Sequence, residues 1–446
     1  MKKEDLSYLY LIFFHTIIGA LGYLLPFTSK IYGYSIFIFW TIYIIKKQNR
    51  NNEVLLAAAY IVGSEVFLRM TGGNPLYEIS KYGVMFFMLI GMYYSGFSRG
   101  ALPYWIFILL LVPSVIISTS SLNFDTDIRK AIAFNLSGPV CLALAALYTF
   151  KRKILLEDMN RILLSMGLPI VSCVVYLKFY TPNLQEVITG TESNFTTSGG
   201  FGPNQVATVL GLGMFIFFSR FMLESKTKFQ IVVNLILALN ITYRGMLTFS
   251  RGGMITGFVM IILLLTFLYF KSNQGGKLKM NFIIVFVAFA MIGTWTYTSL
   301  QTGGLIDKRY SNQDAAGRVK KSQFTGREQI AENEINMFLK NPIFGVGVGK
   351  GKEEREAETG VKAASHNEIT RLLAEHGMMG VLGLLILVLT PLLLYFENNF
   401  NMFLLCFVAF CFLTINHAAM RIAAPAFVYS LSLLNIQFSS LKNKEE

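Results

Sequence analysis

The chain has 446 residues, of which 54% are hydrophobic and only 15% charged, with a mean hydropathy of +0.52. A soluble domain carries about 25% charged residues, so the composition excludes a water-soluble protein and points to an integral membrane protein. Four cysteines set in apolar runs (Cys141, Cys173, Cys406 and Cys411) exclude a disulfide scaffold, and the net charge of +13 is read as an orientation signal, not as a nucleic-acid footprint.

Apolar stretches follow one another along the chain, each near the roughly 20 residues that a helix needs to cross a bilayer. Spans are predicted at Leu6–Leu25, Ile31–Ile45, Val54–Leu68, Tyr82–Phe97, Leu102–Ile117, Ala131–Phe150 and Ile162–Phe179. A second set follows at Val206–Phe221, Phe229–Leu247, Met254–Phe270, Phe282–Leu300, Met378–Phe396, Met402–Ile415 and Ile422–Phe438. Three are short (Ile31–Ile45, Val54–Leu68, Met402–Ile415), which sets the expected count at 12–14. The runs are continuous where a barrel strand would alternate, so the expected fold is an all-α polytopic membrane protein.

Alternate connections are basic: Lys2 and Lys3; Lys46, Lys47 and Arg50; Lys151, Arg152, Lys153 and Arg161; Lys226 and Lys228; Lys271, Lys277 and Lys279; Lys442 and Lys444. The connections between them are poor in base, and Thr181–Asn204 has neither Lys nor Arg. The positive-inside rule then puts both termini in the cytoplasm. The first span lacks a small-residue cleavage site and is expected to be retained. The expected organisation is membrane helices over 1–300, a large external loop over 301–377, and closing helices with a cytoplasmic tail over 378–446.

The loop is too long to be a plain connection, and loops of that length are usually functional. Thr325-Gly326-Arg327-Glu328 and Ser365-His366-Asn367-Glu368 both have the Ser/Thr-x-x-Glu pattern of a capping box. After the first, Ala331, Ile335, Phe338 and Leu339 form an apolar stripe ending at Asn341-Pro342; after the second, Ile369, Leu372 and Leu373 form one ending at His376-Gly377. Arg327 and His366 would then sit in first turns, where unpaired N–H groups favour anions and bias a histidine towards its neutral form. The ordinary alternatives are a solvated loop arginine and a histidine bonded to a neighbouring loop.

Arg251, in the short outer turn Phe249-Ser250-Arg251-Gly252-Gly253, is a charge at the membrane boundary beside two glycines that would let a substrate approach the backbone. Arg244, seven residues earlier, would share its helical face, and snorkelling to lipid phosphates is the competing role for both. Glu65 with Arg69, and Arg371 with Glu375, are spaced i, i+4 and are expected to pair. His15 reads as a packed core residue, while His417 and Arg421 flank the last outer turn, where they could contribute to a pocket. The run from Gly345 to Gly351 matches no nucleotide-binding spacing and reads as a turning segment under the site. No metal-ligand spacing is present, and no metal or other cofactor is expected.

Three stretches together resemble the O-antigen ligase and polymerase superfamily of bacteria: Ser250-Arg251-Gly252-Gly253, Asn341-Pro342-Ile343-Phe344-Gly345-Val346-Gly347, and His366-Asn367-Glu368 with Leu372-Leu373-Ala374-Glu375-His376-Gly377. Gly202-Pro203-Asn204-Gln205 and Gly326-Arg327 also resemble its patterns. The resemblance implies an inverting, metal-independent glycosyltransferase of the GT-C type in the bacterial inner membrane. Its donor would be a glycan on undecaprenyl pyrophosphate at the periplasmic face, and its acceptor a lipid A-core or another glycan. Arg251 and Arg327 match the arginines that hold the donor diphosphate, and His366 the histidine that activates or positions the acceptor hydroxyl; Asn367 and Glu375 lie in the same motif as support. Acidic and amide residues Glu332, Asn333 and Asn336 are expected to help line a sugar groove. Ligase, repeat-unit polymerase with a chain-length regulator, and protein glycosylase remain open. A lipid-linked oligosaccharide flippase is the alternative of a different class, and would show two similar halves with charges deep in its helices.

Overall fold

Each of the fourteen apolar stretches contains a helix in the computed structural model, which describes residues 3–320, 327–360, 363–398 and 401–438. The first half runs α1 (Lys3–Leu24), α2 (Phe27–Lys47), α3 (Glu53–Met70), α4 (Ile79–Ser95), α5 (Leu102–Ser121), α6 (Ile128–Thr149), β1 (Lys153–Leu155), α7 (Leu156–Tyr180) and a single turn, α8 (Leu184–Val187). Then come α9 (Pro203–Leu223), α10 (Lys228–Met246), α11 (Arg251–Lys271) and α12 (Gln274–Gln301). The loop carries α13 (Leu305–Tyr310), α14 (Arg327–Lys340), α15 (Lys350–Thr359) and α16 (Glu368–His376). The chain closes with α17 (Met378–Glu397), α18 (Leu404–Ala418), α19 (Ala424–Leu431) and β2 (Asn435–Gln437).

Among the described residues nine helices are long and apolar enough to cross a membrane: α1, α5, α6, α7, α9, α10, α11, α12 and α17. Helix α4 is shorter, at 17 residues, while α3 carries Glu53, Glu65 and Arg69, and α2 carries Lys30 and ends on Lys46 and Lys47. The protein is thus an all-α polytopic membrane protein, with large apolar side chains such as Phe13, Ile38, Phe282 and Phe289 left on its outer surface. The last predicted span is corrected. Within Ile422–Phe438 only eight residues are helical, too few to cross a bilayer unaided, and the chain then pairs β2 in parallel with β1. All eight residues of α19 are buried against its neighbours, where protein and not lipid surrounds the backbone.

Helix α9 is the hub, packing along both α10 and α11. Its crossing with α11 is glycine on backbone: a Cβ on Gly253 would overlap the Ala207–Thr208 backbone, and one on Gly211 would overlap the Gly253 carbonyl. Contacts sort the connections into two ends. At one end Lys151 pairs with Glu397, Asn49 donates to Tyr148, and Arg152 donates to the Gly96 carbonyl. At the other end Arg69 donates to the Arg421 carbonyl, Asn123 donates its N–H to Glu353, and Arg309 donates to the Phe249 carbonyl. Arg327 and the Ser365–His366 segment lie at this second end.

Candidate functional site

The turn 247–250 is fixed before α11 begins. Asn194 donates its N–H to the Thr248 carbonyl at 3.0 Å, Thr197 Oγ1 donates to the Leu247 carbonyl at 2.6 Å, and Phe249 takes φ 56°. Ser250 Oγ donates to Asn204 Oδ1 at 2.7 Å, tying the Gly-Pro-Asn-Gln segment to the Ser-Arg-Gly-Gly turn. Arg251 is the first residue of α11. The helical break also explains Arg244: α10 ends at Met246, so a seven-residue count does not carry one face across to Arg251. Arg244 lies 5.7 Å from the Tyr243 ring, which packs against Tyr297, and among the described residues no hydrogen bond joins it to Arg251. The two glycines make room for close packing. A Cβ on Gly252 would sit 2.5 Å from His417 Cδ2, and Gly253 is filled by α9.

Four arginines from four elements gather above this turn. Arg251 Nη1 donates to the Arg309 carbonyl at 3.5 Å, and Arg309 Nε donates to the Phe249 carbonyl at 2.9 Å. Arg327, the first residue of α14, donates to the His417 carbonyl at 3.3 Å. Arg421 donates to the Ser365 carbonyl at 2.8 Å. Burial and then Arg251 hold Arg309 below its ordinary pKa, against Glu192 3.5 Å away, with Arg327 adding to the depression. Burial, then Arg421, then Arg251 do the same to Arg327. Half-buried cations set this close together can take up an anion.

His366 faces this group. A cavity of about 240 Å³ is lined by Arg327, Glu328, Ile330, Ala331, His366, Asn367, Asn416 and His417. His366 Nδ1 is buried with no hydrogen-bond partner among the described residues. Burial first, then Arg421 and Arg327, lower its pKa to about 4, so it is neutral at physiological pH. The neutral state expected from a helix end is therefore reached by a different route. The cap of α16 is Asn367, whose Oδ1 accepts from Ile369 N at 2.9 Å, so His366 precedes the helix by two residues. Ser365 Oγ, expected as the cap, instead accepts from Asn367 N at 3.2 Å and lies within donating distance of the Asn367 carbonyl, at 2.9 Å, and of Glu334 Oε2, at 3.2 Å. Thr325 and Gly326 of the other capping pattern lie outside the described residues.

The loop beneath His366 is held by buried charge. Glu334 accepts from Arg355 Nη2 at 2.7 Å and Thr370 Oγ1 at 2.5 Å. Arg371 bridges Glu368 and Glu375 and donates to the Asn135 carbonyl at 2.9 Å. Glu375 Oε1 also accepts from Gly349 N at 3.0 Å, and the glycine run turns through positive φ at Gly345, Gly347 and Gly349 against the end of α16. The expected pair Glu65–Arg69 forms at 2.7 Å and anchors the Arg421 segment, because Glu65 Oε2 accepts from Ala423 N at 2.7 Å. Asn367 Nδ2 donates to Asn416 Oδ1 at 2.8 Å, closing the loop onto α18.

Two sequence expectations are revised. The buried face of α14 is Glu334 with Met337, while Ile335 and Leu339 are exposed, because this helix packs onto a polar network and not an apolar core. Glu332 and Asn336 are exposed and do not line the His366 cavity, nor does Asn333. Arg309 was missed: it belongs to no motif, and only the tertiary fold brings α13 against the α10–α11 turn.

The molecule is thus a multi-pass α-helical membrane protein with four arginines near one end, of which Arg327 lines a cavity together with His366. Residues 233–385, about a third of the chain, match the family model for O-antigen ligase, which supports the resemblance to the O-antigen ligase-like superfamily. The matched stretch includes Arg251, Arg309, Arg327 and His366 but not Arg421. No curated protein matches the chain.

Proposed function

We propose that this protein is a membrane glycosyltransferase that moves a glycan from undecaprenyl pyrophosphate to an acceptor hydroxyl on the periplasmic face. The observation that carries the reading is the convergence of Arg251, Arg309, Arg327 and Arg421 beside a neutral His366. A diphosphate leaving group needs fixed positive charge, and arginine offers it as a planar fork. The acceptor oxygen attacks the anomeric carbon as the bond to the diphosphate breaks, and the hydroxyl proton passes to His366. A single displacement inverts the anomeric centre, and the arginines take up the charge of the departing undecaprenyl pyrophosphate without a metal.

The end bearing Lys46, Lys47, Arg152 and Lys153 is assigned to the cytoplasm, which sets the arginine pocket in the periplasm. Bound diphosphate offsets the arginine charges that depress His366, so the histidine becomes a stronger base once donor is present. The leading acceptor is a lipid A-core, as for a ligase; a growing repeat-unit chain is the second reading. A surface-glycan gel of cells lacking the gene separates them. Long chains left on the carrier and absent from the lipid core identify a ligase, whereas a ladder collapsed to single units identifies a polymerase. Repeat units trapped on the cytoplasmic face, with normal glycan restored by His366→Ala, would reject both in favour of a flippase.

A further inference from the structure

A second, larger cavity of about 720 Å³ lies on the other side of the segment that carries His366. It is walled by the loop before α6, the first turns of α6, the start of α15 and the inner face of α16, and Ala364 and Ser365 belong to its lining. Its volume falls within the range of about 300–1,000 Å³ typical of small-molecule sites. A small neighbouring pocket of about 30 Å³ shares Asn135, Ser365 and Arg371 with it and is also lined by Arg421.

The two cavities differ in chemistry. Three ion pairs hold charges of the larger one's wall, Arg355 with Glu334, Arg371 with Glu375, and Glu353 with the neighbouring Lys350, and Asp125, Asp127, Glu356, Lys130 and Lys352 also line it. The lining has six carboxylates against four cationic side chains, so it disfavours a diphosphate and suits an uncharged ligand that both donates and accepts hydrogen bonds. Phe134, 38% exposed, presents an aromatic surface into it beside Lys130 and Asn135. An aromatic face among a few fixed polar groups matches a sugar ring, with its apolar C–H face and its rim of hydroxyls.

We propose that this cavity holds the terminal sugars of the acceptor glycan, delivering the reactive hydroxyl across residues 364–366 to His366 while the diphosphate stays among the arginines. The proposal rests on the transferase reading above and adds where the acceptor binds. Donor and acceptor then approach His366 from opposite sides, and the charge of the arginine pocket keeps the two ligands from exchanging places.

The test uses the purified full chain in lipid nanodiscs with Phe134→Cys, and separately Asp125→Cys on the facing loop, labelled by a membrane-impermeant maleimide. The four native cysteines are buried and contribute no background. The probes are oligosaccharides released by mild acid from the cell's own surface polysaccharide, and inorganic pyrophosphate. Protection of either cysteine by the oligosaccharides but not by pyrophosphate is expected, as is a roughly tenfold rise in acceptor KM for Phe134→Ala with donor KM unchanged, equivalent to about 1.4 kcal/mol. Protection by pyrophosphate, or no protection by oligosaccharides of an Asp125→Cys protein that still transfers glycan, overturns the acceptor cavity and leaves the transferase reading standing. A wild type that transfers no glycan in cells overturns that reading and this proposal together.

Discussion

Replacing Arg327 by Ala should separate stability from binding. Among the described residues Arg327 donates one side-chain hydrogen bond, of 3.3 Å to the His417 carbonyl, and burial, Arg421 and Arg251 all act against its charge. A hydrogen bond of this kind contributes about 0.5–1.5 kcal/mol net, and relief of the repulsion offsets much of it. Arg327→Ala should therefore lie within about 1 kcal/mol of wild-type stability. With an anion bound the balance reverses, because truncating one member of a buried charge pair costs about 2–5 kcal/mol. Taking about 2–3 kcal/mol for a half-buried arginine that shares the anion with three others, pyrophosphate affinity should fall roughly 30- to 160-fold. The assay is thermal unfolding in nanodiscs across a pyrophosphate titration without divalent ions, since a ligand that binds only the folded state raises its melting temperature with concentration. Equal stabilisation of wild type and variant by pyrophosphate would refute the anion site. An unfolded variant would refute the claim that this arginine is held against repulsion.

Four further outcomes are expected. The acid limb of kcat/KM should fall near pH 4, because His366 must be neutral and its pKa is lowered to about 4. In Arg421→Ala that limb should move upward towards pH 6.5, since removing a nearby cation eases protonation; an unmoved limb would dissociate Arg421 from His366. Glu334→Ala should lower both activity and melting temperature, at a cost of about 3–5 kcal/mol from leaving Arg355 buried without its partner, and Glu334→Gln should recover part of each. Gly253→Ala should destabilise the bundle by about 1–3 kcal/mol or more, measured by thermal unfolding, because its Cβ meets α9 backbone that cannot turn aside.

Much of the architecture is legible in the sequence because bilayer solvation imposes one dominant signal: each predicted apolar stretch contains a helix. The signal misleads where protein replaces lipid. The stretch after Ile422 is apolar because it is enclosed, and enclosed backbone can leave the helix after eight residues. In the loop, the ends of α14 and α16 at Lys340 and His376 follow from Pro342 and Gly377, but the faces do not. The side of α14 that packs is chosen by Glu334 meeting Arg355, Ser365 and Thr370, contacts contributed by residues twenty or more positions away. Arg251, Arg327 and His366 stood out through boundary placement and motif. Arg309 and the part played by Arg421 depend on which helix ends meet, and no local pattern encodes that.

The most direct test of the transferase account is turnover by purified protein in nanodiscs given the cell's own lipid-linked glycan and acceptor fractions. Wild type should release undecaprenyl pyrophosphate in step with glycan appearing on the acceptor, with or without EDTA, and His366→Ala should insert normally yet transfer nothing. Full transfer by His366→Ala, or transfer lost to EDTA and restored by Mg²⁺, would contradict the account.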